Sequence, residues 1–204
     1  GIIVPPDGYL SQVRKICTEH NVLMACDEIQ TGLGRTGTLF AYEHDSDAKP
    51  DVLILGKALS GGFYPVSAVV ASEEILGVFQ PGDHGSTFGG NPLASAIASA
   101  ALDVTIEEDL TKNSRELGAY LHTELRKISS RHIKEIRGRG LFVGIEIKES
   151  SGLARPFCEK LMTMGLLSKE THEQIIRLAP PLIITKEEVD IIIKTVRKLF
   201  EEAE

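Results

Sequence analysis

The sequence has few cysteines, a shortage of basic residues and no long apolar run, and each of these argues against a class of protein. Its three cysteines, Cys17, Cys26 and Cys158, lie far apart without a C-x-x-C pair, which argues against a disulfide scaffold or a zinc site and predicts a reducing compartment. The formal net charge of −7 disfavours nucleic acid and anionic membranes as partners. No apolar run approaches the ~18 residues of a membrane span, and no signal peptide is evident. We therefore expect no metal site, no nucleic acid partner and no membrane partner.

The composition that is present is that of an ordinary globular protein, with 42% hydrophobic and 25% charged residues. Helical patterns alternate with short apolar runs up to about residue 104, which predicts an α/β sheet domain. A long amphipathic helix over residues 110–128, two strand-like segments around Gly138-Arg139-Gly140 and a terminal helix follow. This change of pattern predicts a second, α+β domain over residues 105–204.

Capping signals mark the ends of several helices. Asp7 is expected to cap a helix over residues 8–20, and Asn91 with Pro92 is expected to open a helix that runs to about residue 107. Thr185 and Glu188 have the spacing of a capping box at the start of the last helix.

A lysine follows the apolar run of residues 52–55, which shows no polar alternation and so predicts a buried parallel strand. Lys57 would emerge at the carboxyl end of this strand, where open α/β sheets place ligands. A desolvated lysine there can lose its proton and attack a carbonyl carbon to form an imine. The alternative is a surface lysine whose stem lies along apolar neighbours, and one Gly-Lys pair does not decide between the two.

A second apolar run, residues 21–26, ends at Asp27. A carboxylate at the carboxyl end of a buried strand needs a cationic partner or several hydrogen-bond donors. The protonated ring nitrogen of pyridoxal phosphate would be such a partner, and the protonated ring stabilises a carbanion on the substrate. Asp27 for the ring nitrogen and Lys57 for the aldehyde together favour this cofactor.

The glycines of Gly32-Leu-Gly-Arg-Thr-Gly37 match the spacing of a dinucleotide-binding loop. Several residues separate them from the preceding strand, and only about a dozen residues, including Pro50, precede the next one. That is too short for a crossover helix, so an ordinary glycine loop is the favoured interpretation.

Three segments taken together resemble class III aminotransferases of the fold-type I pyridoxal phosphate superfamily. They are Asp27-Glu-Ile-Gln-Thr-Gly-Leu-Gly-Arg-Thr-Gly37, Leu55-Gly-Lys-Ala-Leu-Ser-Gly-Gly62 and His84-Gly-Ser-Thr-Phe-Gly-Gly-Asn-Pro92, and Ile175-Ile-Arg-Leu-Ala-Pro-Pro-Leu182 adds to the likeness. The resemblance covers all 204 residues. It implies that residues 1–104 are the C-terminal part of a large cofactor-binding domain with a parallel or mixed sheet, and that residues 105–204 are the small domain. It also implies an incomplete chain, because family members are much longer.

The resemblance implies cofactor contacts for four residues of the first two segments. Lys57 would form the imine with the cofactor, Asp27 would pair with the ring nitrogen, Ile29 would pack on the ring face and Gln30 would bond the ring's 3-oxygen. Glu28 would point the other way along an extended chain and should tolerate substitution.

The loop of residues 84–92 gathers hydroxyls, backbone amides and a helix start, which suits a phosphate group, although an ordinary cap and turn would use the same residues. The resemblance implies that Thr87 reaches the cofactor phosphate of the other subunit in a homodimer with a shared active site. Ser86 is a weaker candidate for the same role.

Arg177 lies among apolar residues and needs an anionic or carbonyl partner, because a guanidinium does not neutralise. A structural salt bridge is one interpretation, and the resemblance implies instead a clamp for a substrate carboxylate. Five further residues are expected to be structural: Arg35, Arg137, Arg139, Lys169 and His172.

The reaction that the resemblance implies moves the δ-amino group of ornithine to 2-oxoglutarate, giving glutamate 5-semialdehyde and glutamate. Acetylornithine and 4-aminobutyrate aminotransferases share the same motifs, and a non-catalytic partner that keeps the fold is the alternative outside enzymes. The expected partners are small amino and oxo acids, the N-terminal remainder of the enzyme and a second subunit. We expect a cytoplasmic location, with the mitochondrial matrix left open, and no turnover by residues 1–204 alone.

Overall fold

A computed structural model describes residues 1–203, which form two compact units. The N-terminal unit comprises Pro5–Gly34 and Thr38–Thr111. The C-terminal unit comprises Lys112 onward together with two short segments from earlier in the chain, Gly1–Val4 and Arg35–Gly37. The division of the whole protein into domains at residues 104 and 105 stays a prediction.

The N-terminal unit contains a three-stranded mixed sheet with helices. Its elements in chain order are α1 (Tyr9–Glu19), β1 (Ala25–Asp27), β2 (Val52–Leu55), β3 (Ala68–Ala71), α2 (Glu73–Leu76) and α3 (Pro92–Glu107). The strands lie in the order β1-β2-β3, with β1 and β2 parallel and β2 and β3 antiparallel. The α/β class and the parallel pairing expected from the sequence are confirmed.

Helix α1 is capped by a distant residue. Gly8 occupies the N-cap position with φ of 78°. Because it is a glycine, it has no side chain with which to bond the first turn. The Asp45 carboxylate instead accepts hydrogen bonds from the backbone N–H groups of Gly8 at 3.0 Å and Leu10 at 2.8 Å. The prediction that Asp7 caps this helix is therefore wrong, since a tertiary contact supplies the acceptor.

Much of the apolar surface of the N-terminal unit is exposed. Its buried cluster consists of Leu33, Leu55 and Leu59, whereas Val22 and Leu23, just before β1, are 54% and 59% exposed. Within residues 1–203, β1 has a hydrogen-bonded neighbour on one side only. An open sheet edge and bare apolar side chains are features that folded proteins normally cover.

The C-terminal unit is an α+β structure with its own core. Its elements are α4 (Leu110–Leu125), which begins two residues before the unit does, β4 (Ile133–Arg139), β5 (Phe142–Ile147), α5 (Ala154–Thr163), β6 (Lys169–Thr171), β7 (Ile175–Leu178) and α6 (Lys186–Ala203). All neighbouring strands in the order β4-β5-β7-β6 are antiparallel. Helices α4, α5 and α6 share one apolar core with this sheet.

The other two capping predictions are confirmed. Asn91 Oδ1 accepts a hydrogen bond from Ala94 N at 2.9 Å, and Pro92 is the first residue of α3. Thr185 N donates to Glu188 Oε2 at 2.8 Å, and Glu188 N donates to Thr185 Oγ1 at 3.3 Å. These reciprocal bonds form the expected capping box. No helix within residues 1–203 is long and apolar enough to span a bilayer.

Candidate active site

The parallel strands β1 and β2 end at the same edge of their sheet. Asp27 stands opposite Ile54 in the register, and Glu28 N donates to Ile54 O at 2.9 Å. Lys57 follows shortly after the end of β2. The sheet therefore brings the carboxyl ends of the segments that carry Asp27 and Lys57 to one edge, which is where α/β sheets bind ligands.

Lys57 has an unusual backbone conformation. It opens a 3-10 turn, Lys57–Ser60, with φ of 45°, in the left-handed region that non-glycine residues rarely adopt. A Cβ atom at the preceding Gly56 would lie 3.3 Å from Ile29 Cγ2, so Ile29 lies close to the backbone beside the lysine. Strained backbone of this kind is concentrated at functional sites. Within residues 1–203 the Lys57 side chain is exposed, so the desolvation expected of its amine is absent there.

Asp27 is exposed, and a local bond orients its carboxylate. Its Oδ1 accepts a hydrogen bond from Ile29 N at 3.0 Å, while its other oxygen accepts none from residues 1–203. The carboxylate forms no ion pair in this part of the chain. Gln30 is exposed nearby, and Ile29 is half-buried. This strand edge thus offers a carboxylate oxygen, an apolar side chain, an amide and an amine.

The surroundings of Glu28 argue against the tolerance to substitution that its alternation with Asp27 predicts. It is 3% exposed, its Oε2 accepts from Thr31 Oγ1 at 2.7 Å, and its Oε1 accepts from Tyr42 N at 2.8 Å. A buried carboxylate that accepts such bonds supports the local fold. We therefore expect substitution of Glu28 to be costly, contrary to the tolerance predicted from its alternation with Asp27.

The loop before α3 makes an ordinary turn. Ser86 Oγ accepts a hydrogen bond from Gly89 N at 3.0 Å, and Asn91 caps the helix. Ser86 and Thr87 are both exposed. No hydrogen bond joins either hydroxyl to Asp27 or Lys57 within residues 1–203, so the structure does not connect this pair to the strand-end residues.

Arg177 belongs to the C-terminal unit, in the interior strand β7, where it pairs in register with Gly144 of β5 and Lys169 of β6. Its side chain is half-buried. It makes no ion pair or hydrogen bond with residues 1–203, so the structural salt bridge considered above is absent from this part of the chain.

The glycine loop does not have the structure of a dinucleotide site. Arg35–Gly37 lie in the C-terminal unit, and a single 3-10 turn, Ala41–His44, lies between them and β2. No helix begins at these glycines, so the sequence-based preference for an ordinary glycine loop is confirmed. Residues 1–203 also contain no group of His, Cys, Asp and Glu side chains placed to hold a metal ion.

The chain, with its mixed-sheet α/β unit and its antiparallel α+β unit, has the fold of part of a fold-type I pyridoxal-phosphate-dependent transferase. Solved structures agree with this class. The ornithine aminotransferase of Plasmodium yoelii has a TM-score of 0.96 and 46% identity, with 100% of this chain and 54% of that chain covered. The acetylornithine aminotransferase of Elizabethkingia anophelis has a TM-score of 0.93 and 48% identity, with 98% and 50% covered.

The chain belongs to the class III aminotransferase family, whose model, described as Aminotransferase class-III, matches residues 1–200. The ornithine aminotransferase 2 of Staphylococcus saprophyticus is 63% identical over 201 residues. The ornithine aminotransferase of Staphylococcus epidermidis is 59% identical over 200 residues. Each comparison covers 98% of this chain and 50% of the relative, so the chain spans about half the length of these proteins.

Proposed function

We propose that the whole protein transfers the δ-amino group of ornithine to 2-oxoglutarate, giving glutamate 5-semialdehyde and glutamate. The structural observation that carries the proposal is the parallel register of β1 and β2, which places Asp27 and the segment leading to Lys57 at one sheet edge. The substrate choice is supported by the two staphylococcal relatives named ornithine aminotransferase, at 63% and 59% identity.

The strand-edge groups fit pyridoxal phosphate by their chemistry. When bound, this cofactor withdraws electrons from the substrate carbon that carries the amino group, so that the carbon can lose a proton. Asp27 would hold the ring nitrogen through its second carboxylate oxygen, Ile29 would lie against the ring face, and Gln30 would bond the ring's 3-oxygen. Lys57 Nζ would bind the aldehyde and, as the free amine, accept and return the substrate proton.

The phosphate and the substrate require groups from elsewhere. Thr87, with Ser86 as the weaker candidate, would reach the phosphate of a cofactor held by a second subunit in a homodimer. Arg177 would bind a substrate carboxylate through its planar fork, which its lack of an ion pair within residues 1–203 leaves available. The remainder of the enzyme, N-terminal to this chain, would supply the other phosphate and carboxylate contacts. We propose a cytoplasmic location.

Acetylornithine transamination is the second candidate, because the Elizabethkingia anophelis enzyme matches this chain at 48% identity and a TM-score of 0.93. The deciding experiment gives the purified full-length enzyme ornithine, N-acetylornithine or 4-aminobutyrate, each with 2-oxoglutarate, and measures the aldehyde product. The highest kcat/KM with ornithine would support the proposal. A higher value with N-acetylornithine or 4-aminobutyrate would reassign the substrate, and turnover of none of them would favour a non-catalytic protein.

A further inference from the structure

Arg35 is held firmly within the C-terminal unit by its backbone. Its carbonyl oxygen accepts hydrogen bonds from Leu141 N at 3.1 Å and from Ser114 Oγ at 3.1 Å. Two residues later, Gly37 O accepts a bond from Arg115 Nη1 at 3.2 Å. The segment that carries Arg35 is therefore bonded to helix α4 at both of its ends, and at Arg35 also to the turn between β4 and β5.

The same segment runs against another piece of backbone. Gly140 has φ of 54°, and a Cβ atom there would lie 2.5 Å from the Thr36 carbonyl carbon and 2.6 Å from Gly37 N. Only glycine permits this approach. The close packing at Gly140 thus fixes the position of Arg35 beside the β4–β5 turn.

The Arg35 side chain joins the ends of two neighbouring strands. Its Nη1 donates to Leu141 O at 3.0 Å, just before β5, and to Pro180 O at 2.5 Å, just after β7. Leu178 at the end of β7 pairs with Val143 near the start of β5. Arg35 therefore links the adjacent ends of β5 and β7, and β7 is the strand that carries Arg177. Its Nε and Nη2 make no hydrogen bond with residues 1–203.

Positive charge is concentrated around Arg177. Lys169 stands directly opposite it on β6 and so shares its face of the sheet, where like charges are unfavourable. Burial, and then the positive charge of Arg177, lower the pKa of Arg35. No carboxylate forms an ion pair with Arg177 in the part of the chain that the structure describes. This arrangement favours binding of an anion from outside these residues.

We propose that Arg35 is a positioning residue for Arg177. By bonding the carbonyls of Leu141 and Pro180, it holds the end of β7, the strand that carries Arg177, in place. The Arg177 guanidinium is thereby held in position for a substrate carboxylate. The inference rests on the carboxylate-binding role proposed above for Arg177, and it revises the purely structural role expected for Arg35.

The test measures binding of glutarate to the full-length enzyme by titration calorimetry. Glutarate is a dicarboxylate without an amino or oxo group, so it binds without reacting. We expect Arg35→Gln to raise the Kd about tenfold, as the loss of a well-oriented charged contact does. Arg177→Gln should raise the Kd at least as much. The double variant should bind no more weakly than Arg177→Gln alone, because Arg35 acts through Arg177.

Arg115→Gln is the matched control, since it also removes an arginine bond to a carbonyl of the same segment. It should leave the Kd for glutarate unchanged. If Arg35→Gln is too unstable to purify, Arg35→Lys enters the same cycle, because a lysine lacks the planar fork.

Three results would overturn the inference: an Arg35 variant that binds glutarate as the parent does, a further loss on adding it to Arg177→Gln, or no glutarate binding by the parent. Failure of the proposed function would be seen separately, as a parent enzyme that forms no aldehyde from ornithine. The glutarate cycle would still report on Arg35 and Arg177 in that case.

Discussion

Asp27 of β1 stands opposite Ile54 of β2 in a parallel pair, so the two strands finish level with each other. Lys57 lies three residues beyond Ile54, after the extended Gly56. A carboxylate and an amine borne by neighbouring strand ends can contact opposite sides of one small molecule.

Lys57→Ala in the full-length enzyme should remove the part of the bound cofactor's visible absorbance that depends on its bond to the lysine. It should also lower turnover at least about a hundredfold, because the lysine amine is the proposed acid and base. Spectra and steady-state assays measure both effects. Lys49→Ala, at an exposed lysine before β2, is the control and should behave as the parent does. Borohydride reduction followed by peptide mass analysis should label Lys57, and label on another lysine would contradict the assignment.

Asp27→Asn should lower kcat about ten- to a hundredfold while changing cofactor affinity much less. Loss of a charged bond to the ring nitrogen removes stabilisation of the carbanion rather than the main binding contacts. Stopped-flow measurement of the first half-reaction and a cofactor titration separate the two effects. Asp103→Asn, at an exposed position of α3, should change neither. Near-normal turnover by Asp27→Asn would refute the role of Asp27.

Glu28→Ala should lower the free energy of unfolding by about 1–3 kcal/mol, because it removes the acceptors of Tyr42 N and Thr31 Oγ1 from a buried site. Urea unfolding of the full-length protein measures the change. The neighbouring Asp27→Asn should leave that free energy close to the parent's. If the Glu28 variant were as stable as the parent, its bonds would be dispensable and the tolerance predicted from the sequence would stand.

His122 should make the protein less stable as the pH falls from 6.5 towards 4. Burial is the main reason that its pKa is lowered from 6.5 to about 4, and the positive charge of Arg126 adds to the effect. The unfolded chain thus binds a proton at a pH where the folded one does not. The stabilisation is therefore complete above pH 6.5, is lost as the pH approaches 4, and amounts to about 3 kcal/mol.

Urea unfolding at a series of pH values measures this dependence. The free energy of unfolding of His122→Gln should depend little on pH between 6.5 and about 4, apart from the contribution of the other titrating groups. His20→Gln, at an exposed histidine, should keep the parent's slope. An unchanged slope in His122→Gln would show that the buried imidazole does not control acid stability.

Residues 1–204 expressed alone should not transaminate. The N-terminal unit leaves β1 without a neighbour on one side and leaves Val22 and Leu23 largely exposed, so we expect the separate chain to associate or precipitate. Size-exclusion chromatography and an assay with ornithine, 2-oxoglutarate and added pyridoxal phosphate test both expectations. The full-length enzyme under the same conditions is the control. A soluble monomer with steady turnover would contradict the prediction.

Local patterns in the sequence were enough to predict the strand before Lys57, the Asn91 cap of α3 and the Thr185–Glu188 capping box. Each depends on residues within a few positions of one another, and the conformational preferences of those residue types indicate the local structure. The placement of Asp27 at a strand end followed in the same way from apolar runs that end at polar residues. The sequence alone indicated the class of protein because the segments 27–37, 55–62 and 84–92 occur together in one chain.

Only the tertiary structure decided which distant groups meet. The cap of α1 comes from Asp45, Glu28 is buried against the backbone of Tyr42, and Arg35 bonds the carbonyl of Pro180 at the far end of the chain. The partners in these contacts are mostly backbone N–H and C=O groups, which nearly every residue carries. The sequence by itself therefore determined the local elements and the chemical groups at their ends. The choice among identical backbone partners, and with it the roles of Glu28 and Arg35, depended on how the chain folds over long separations.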